Sequence, residues 1–307
     1  MITHNRRQEV LCTLAHLTAL PSRPKIIVVD NASEDGTPAA VAARFPQVEV
    51  LPAGGNLGAA GRTLGVRRAQ TPYVALCDDD TWWAPGSLRR AADLLDAHPR
   101  LAVVTGRVLV GPEEREDPVC KVLEQSPLPR EPGLPGPPLL GFLAGASMVR
   151  RAGFLAAGGF EPRFFIGGEE ELLAANLAAR GWRLCYVPEV VIHHHPSPRR
   201  GGPGRRWCLV RNALWFAWLR RPLASALRRT LWTALTQPWD RAALGGFAAA
   251  LAGMLWVLRR RAVVPRAVEH GLRLLDPPEI RPRARRRKAS ANGPAVTNTG
   301  TAHVLTR

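Results

Sequence analysis

The chain has 307 residues and a formal net charge of +17, enough length for one large α/β domain with an appendage and a sizeable core. Residues 1–198 carry 20 basic and 21 acidic residues, whereas residues 199–307 carry 22 and 4, so a near-neutral body is followed by a basic third suited to phosphate, in lipid headgroups or nucleic acid. The five cysteines form no C-x-x-C pair and the start has no apolar leader-like run, which argues against a disulfide framework and a secretory signal, and for a reduced cytoplasmic chain.

In chain order, KIIVVD (25–30) is an apolar β-branched run ending on Asp30, and NASEDGT (31–37) is dense in turn formers. A short helix is expected over 38–45, a strand over 48–51, a break at 54–56 and a helix over 61–69. The run YVALC (73–77) reads as a strand entering Asp78-Asp79-Asp80 directly. Residues 87–97 have helical spacing and 101–110 read as a strand. Strands alternating with short helices predict an α/β fold with a mostly parallel sheet covered on both faces. Asp30 and the Asp78 cluster then fall at strand C-terminal ends, where open α/β sheets bind ligands.

Residues 111–138, rich in Pro, Gly and charge, read as a mobile loop or lid. Ordered structure resumes over 141–149. A helix is expected over 169–179 with three glutamates in its first turn, then short strands over 184–187 and 190–195. Residues 205–221 predict a helix whose Trp207, Leu214, Trp215 and Trp218 share a face with Arg211 among them. Trp with Arg suits a membrane interface. The uncharged run 242–258 spans only ~25 Å as a helix, short of a ~30 Å bilayer core, and reads as a buried or surface-lying helix. The chain thus divides into an α/β domain (1–200), an amphipathic helical, membrane-associating region (201–276) and a disordered basic tail (277–307).

Three adjacent carboxylates repel one another and cannot be buried bare. A hard divalent cation offsets that repulsion, and Mg²⁺ typically takes one or two carboxylates and completes its shell with substrate phosphate oxygens.

Taken together, VVDNASEDGT (28–37), NLGAAGR (56–62), Asp78-Asp79-Asp80, GGFEPRFFIGGEE (158–170) and His193-His194-His195 resemble, in order, the motifs of family 2 glycosyltransferases across residues 2–200. The resemblance implies a GT-A fold, with a Rossmann-like nucleotide half joined to an acceptor half. It implies inverting transfer of a sugar from a nucleotide-diphosphate sugar to an acceptor hydroxyl, in cell-wall, polysaccharide or lipid-linked glycan synthesis. Asp30 and Asn31, with Asn56, Gly58 and Arg62, would contact the donor, a UDP- or dTDP-sugar, and Asp78 and Asp79 its ribose and diphosphate. Asp78 and Asp80 would bind Mg²⁺ or Mn²⁺. His193 and His195, on one face of their strand by alternation, are the histidines expected to complete that site, with the particular ligand left open. The family's usual Glu-Asp is here Glu169-Glu170. Glu170 stands in the Asp position and is the favoured general base, with Glu169 second. A helix N-terminus favours ionised carboxylates, so both are expected to be charged at neutral pH, as a base must be.

Three positions depart from the family pattern. The Ile2-Thr3-His4-Asn5 element begins almost at Met1, so either its preceding strand is cut short or the true start lies upstream of Met1. Thr63 stands where many members have Asn, and Leu172 where many have Asp. Residues 199–206 read either as a cover over the diphosphate or as a solvated basic loop. A peripheral enzyme at the cytoplasmic face of the plasma membrane is expected, acting on a glycan or lipid-linked acceptor and binding no nucleic acid. The competing readings are an inactive nucleotide-binding module and a basic nucleic-acid-binding protein.

Overall fold

The computed structural model describes residues 1–197 and 205–278. Strand β1 (Ile2–Thr3) is followed by α1 (Arg7–Thr18), β2 (Ile27–Asp30), α2 (Thr37–Arg44) and β3 (Glu49–Pro52). These strands form a parallel sheet in the order β1-β2-β3. The first strand is short but present, since the Val29 N–H donates to the Met1 carbonyl and the Asn31 N–H to that of Thr3, each at 2.9 Å. Helix α1 buries Val10, Thr13, Leu14 and Leu17, the three-to-four-residue spacing of one helical face. The 31–36 turn caps that helix, with Asp35 accepting from the Arg7 N–H and Asn5 Oδ1 from the Glu34 N–H.

A 3₁₀ turn at Gly58–Ala60 leads into α3 (Gly61–Arg68). Then come β4 (Tyr73–Ala75), β5 (Thr81–Trp83), α4 (Ser87–Ala97), β6 (Leu101–Val110), β7 (Arg115–Glu116), α5 (Pro118–Glu124), β8 (Ser147–Arg150), α6 (Arg151–Ala156), α7 (Glu169–Ala179) and β9 (Arg183–His194). They build a second sheet in the order β4-β8-β6-β9-β5, with β7 on β6. Parallel pairing is confined here to β6 with β9, and the other pairs are antiparallel. The two short strands expected over 184–195 are one strand with a register shift opposite Gly106 and Arg107. A Cβ on Gly106 would lie 2.4 Å from the Val190 carbonyl oxygen, so the shift needs glycine there. It carries the end of β9 across to β5, placing His194 opposite Thr81.

Residues 111–138 are ordered, not the mobile lid expected. Asp117 caps α5 by accepting from the Val119 N–H at 2.9 Å, and Pro118 occupies its first turn. Val119, Cys120 and Leu123 then join the main core. The composition misleads because Pro and Gly punctuate short elements here as effectively as they loosen a loop.

The C-terminal helices are α8 (Arg205–Arg220), α9 (Leu223–Thr236), α10 (Arg241–Ala252), α11 (Met254–Arg259) and α12 (Arg266–Leu275). Phe164, Leu172 and Ala175 share one core with Leu214, Trp215, Phe216, Val257 and Leu272, so the boundary drawn at 200 does not separate two cores. Helix α8 is therefore a packed helix and not the interfacial one expected. The Trp215 indole is buried and donates to the Ala250 carbonyl at 3.0 Å. Gly253 lets the chain pass over that indole, since a Cβ there would lie 2.3 Å from the ring. The apolar run 242–258 breaks at that glycine into α10 and α11, and no described helix is long and apolar enough to cross a membrane. Most of the 199–206 loop and of the tail falls outside the described residues.

Candidate active site

Asp30 ends β2 and is buried. Its Oδ2 accepts from the Ser33 N–H at 2.9 Å, and its Oδ1 is buried without a hydrogen-bond partner. Asn31 donates from Nδ2 to the Gly58 carbonyl at 3.0 Å, while its Oδ1 is likewise unpartnered. A buried carboxylate oxygen and a buried amide oxygen, both unmet, are costly unless a donor arrives, and the ring N–H of a pyrimidine base is such a donor. Asn56 holds the neighbouring loop by accepting from the Gly58 N–H at 3.0 Å. Gly58 has φ +56°, and a Cβ on it would sit 2.2 Å from the Phe165 carbonyl oxygen. That carbonyl also accepts from the Ala59 N–H at 2.7 Å, so the loop after β3 is locked to the segment that leads into α7.

The acidic triplet follows β4. The Asp78 carboxylate is ion-paired with Arg62, and Gly145 leaves room for it, a Cβ there lying 2.8 Å from Asp78 Oδ2. Arg6 binds the other two carboxylates, its Nε 3.1 Å from Asp79 Oδ1 and its Nη2 2.9 Å from Asp80 Oδ2. Asp79 also accepts from the Thr3 hydroxyl at 3.0 Å. Burial pushes Asp79 up to about 7, against the pull of Arg6 and with the repulsion of its two neighbours. Asp79 was expected on the donor. In the structure it is held by Thr3 and Arg6, where it ties β1 and the start of α1 to the acidic triplet.

The histidines divide between two faces. His193 and His195 share one face as alternation requires, but that face is filled by Trp82, with ring centroids at 5.5 and 4.6 Å. His193 Nδ1 also lies 3.2 Å from Glu114 Oε1. His194, on the opposite face, brings Nε2 within 3.8 Å of Asp80 Oδ1. His194 is thus the member of the triplet whose side chain the fold brings to the acidic cluster, whereas His195 meets Asp80 through its backbone N–H, which donates to the Asp80 carbonyl at 2.9 Å. The register of β9 on β5, beyond the reach of sequence alternation, decides which face meets Asp80.

Glu169 and Glu170 open α7 after Gly167 and Gly168, both at positive φ. Glu169 is buried, with Oε2 unpartnered. Both carboxyls are pushed up, Glu169 by burial and then by repulsion from Glu170, and Glu170 by burial against the pull of backbone hydrogen bonds and Arg62. The expectation that the helix N-terminus keeps both ionised is corrected. Desolvation of two adjacent carboxyls outweighs the macrodipole, and the pair retains a proton to higher pH. Arg62 is held above its ordinary value. Burial opposes this, but Asp78, and then Glu170 and Glu169, favour its charge.

Three supporting residues were not expected in the site, Arg211 having been noted only as part of the tryptophan-bearing face. Arg6 directly follows the Thr3-His4-Asn5 element, and its partners Asp79 and Asp80 lie more than 70 residues away. Arg211 lies with its guanidinium 4.5 Å from both the Trp207 and the Trp215 rings, and donates to the carbonyls of Arg163 and Phe164 at 2.9 Å. Asn212, fully buried, donates from Nδ2 to the carbonyls of Phe164, Ile166 and Gly167 at 2.8, 3.1 and 2.6 Å. Helix α8 therefore sets the loop from which the two glutamates emerge.

The donor set fits a hard divalent cation. Asp78 and Asp80, each paired with an arginine, could offer oxygen ligands and His194 a nitrogen, while Asp79 is taken up by Thr3 and Arg6. Among the described residues no group of three or more His, Cys, Asp or Glu is already gathered in metal-binding geometry. The protein would supply about two donors, as for a cation that fills its shell with phosphate oxygens and water.

The sequence description "Glycosyl transferase family 2" matches residues 1–155, which hold Asp30 and Asp78 to Asp80 but stop before α7 and His194. The N-acetylglucosaminyl-diphospho-decaprenol L-rhamnosyltransferase of Mycobacterium tuberculosis is 29% identical over 260 residues, covering 71% of this chain and 84% of that protein. The succinoglycan biosynthesis protein ExoO of Rhizobium meliloti is 27% identical over 184 residues, covering 56% of this chain and 52% of that one. Among solved structures, S. aureus TarS 1–349 superposes with a TM-score of 0.59 at 16% identity, over 84% of this chain and 79% of that one. The mannosyltransferase PcManGT of Pyrobaculum calidifontis, solved with GDP-Man and Mn²⁺, gives 0.52 at 20% identity, over 88% and 72%. These superpositions establish the GT-A glycosyltransferase fold.

Proposed function

This chain belongs to glycosyl transferase family 2, and from that premise we propose that it moves the sugar of a UDP- or dTDP-sugar, with inversion, to a hydroxyl of a lipid-linked or polysaccharide acceptor. The rhamnosyltransferase relative, named for a prenyl-diphosphate-linked acceptor, and the succinoglycan relative support cell-wall or polysaccharide synthesis. With a lipid-linked acceptor, a peripheral position at the cytoplasmic face of the plasma membrane is part of the proposal.

The observation that carries this reading is Arg62. Its guanidinium pairs with Asp78 on the donor side, and the charges of Glu170 and Glu169 on the acceptor side favour its charged form, so one largely buried cation serves both halves of a single-displacement site. Asp30 and Asn31 bind the base through their unmet oxygens. Asp80 and His194 would hold Mg²⁺ or Mn²⁺, which when bound offsets the negative charge growing on the departing nucleoside diphosphate. Glu170 accepts the proton of the acceptor hydroxyl as its oxygen bonds to the anomeric carbon and the bond to the diphosphate breaks. Glu169 lies deeper, and its repulsion with Glu170 favours one shared proton over two charges. Arg62 counters that effect and keeps Glu170 competent as a base.

The test is nucleoside diphosphate release from a panel of UDP- and dTDP-sugars, with Mg²⁺, with Mn²⁺ and with EDTA. The wild type should release product only with metal. Glu170→Gln should bind donor normally and fail to transfer, and Asp80→Asn should lose both metal stimulation and metal-dependent donor binding. Undiminished turnover in Asp80→Asn would refute the assignment of the metal side, and undiminished turnover in Glu170→Gln that of the base.

A further inference from the structure

Helix α9 has its polarity reversed for a surface helix facing water. It turns Ser225, Ala226 and Thr233 inward, and exposes Leu223, Leu227, Leu231 and Leu235 at 51–75%. A solvated helix does the opposite. The four leucines recur every fourth residue and so form one gently winding ridge along a helix of about 21 Å. Large exposed apolar side chains continue into the neighbouring segments, among them Trp239, Leu251 and Leu255. Of the described residues, Phe165 is the one large exposed hydrophobic outside the region 223–275. A patch this concentrated marks an interaction surface.

The charges nearby select the partner. Residues 205–278 hold thirteen arginines and three acidic residues. All three acids are engaged, Asp240 with Arg206, and Glu269 and Asp276 with Arg221. Arg241, Arg259, Arg260 and Arg266 are exposed. A second copy of this chain would set arginine against arginine, whereas a bilayer surface bearing anionic headgroups complements both the leucines and the arginines. No described helix is long and apolar enough to span, so the geometry is that of a helix lying in the interface.

We propose that the leucine ridge of α9, with the exposed arginines of the C-terminal helical region, docks the enzyme onto an anionic lipid surface. This moves the membrane contact from the tryptophan-bearing α8, which is packed inside, to the helix outside it. Its service to catalysis rests on the lipid-linked acceptor proposed above, but the binding does not.

The experiment is co-sedimentation of the full chain with phosphatidylcholine vesicles, with and without about 30 mol% phosphatidylglycerol, at low and high salt. The wild type should partition at least about tenfold more strongly onto the anionic vesicles, and salt should weaken that binding. The double variant L227E/L231E alters two exposed side chains. It should keep its thermal midpoint and its donor binding, yet lose roughly tenfold or more of the partitioning. Equal partitioning of wild type and variant, or wild-type binding no stronger to anionic than to neutral vesicles, overturns the proposal. A wild-type dimer that the double variant converts to monomer, without vesicle binding by either, overturns it in favour of a second copy. Vesicle binding by an enzyme that turns over only water-soluble acceptors leaves the docking surface standing and removes the lipid-linked acceptor.

Discussion

Replacing Asn212 by leucine, close to it in shape, should loosen from behind the loop that leads into α7. The amide serves the carbonyls of Phe164, Ile166 and Gly167, and its Oδ1 accepts from Arg211 Nε at 2.9 Å. The Phe164 carbonyl keeps its bond from Arg211 in the variant, so the carbonyls of Ile166 and Gly167 and the Arg211 Nε–H lose their partners. Each buried polar group left unmet costs ~1–3 kcal/mol, less where water can reach it. A total of about 2–4 kcal/mol follows for a loop at the edge of the core, a fall of roughly 5–15 °C in Tm for a domain of this size. Because Gly167 and Gly168 feed directly into Glu169 and Glu170, the survivors should turn over more slowly, with kcat falling more than donor KM rises. Thermal unfolding and steady-state nucleoside diphosphate release, measured well below the variant's midpoint, read both effects. An Asn212→Leu enzyme with wild-type Tm and kcat would show that the three hydrogen bonds neither hold the loop nor place the base.

Two further outcomes concern the same cleft. A base acts only when ionised, and burial raises the glutamate pair, so kcat/KM should climb with pH through neutrality instead of levelling off near the ordinary carboxylate value of about 4.3. A rate profile flat from about pH 5 upward contradicts that raised pair. Gly58→Ala places a methyl group against the backbone oxygen of Phe165 at positive φ and should cost ~2 kcal/mol or more, with a higher donor KM. Gly54→Ala, at φ +73° with no atom within 4 Å of the new Cβ, should cost only about 1 kcal/mol, and equal effects of the two would sink the close-approach argument.

Much of the candidate site was legible because the chemistry proposed for it needs particular residue types at strand ends. Asp30, Asn31, the Asp78 cluster and the two glutamates after Gly167 and Gly168 are local features, and the fold sets each beside a partner that fits. The histidines were legible only as a group. Alternation paired His193 with His195 correctly, but which face meets Asp80 depends on the register of β9 against β5, three residues of bulge away. The lid expected over 111–138 fails for a related reason, since its Pro and Gly content records turn positions without saying whether Val119, Cys120 and Leu123 find a core.

The C-terminal third shows the division most clearly. Composition alone determined that it is basic and tryptophan-rich. Only tertiary packing decided that Trp215 is interior, that Arg211 and Asn212 hold the base loop, and that the leucines of α9 face outward. An amphipathic pattern specifies that a helix has an apolar side, but not what that side touches. That choice belongs to the neighbouring elements, as does the ionisation of Glu169 and Glu170, where burial by distant residues outweighs the helix terminus beside them in sequence.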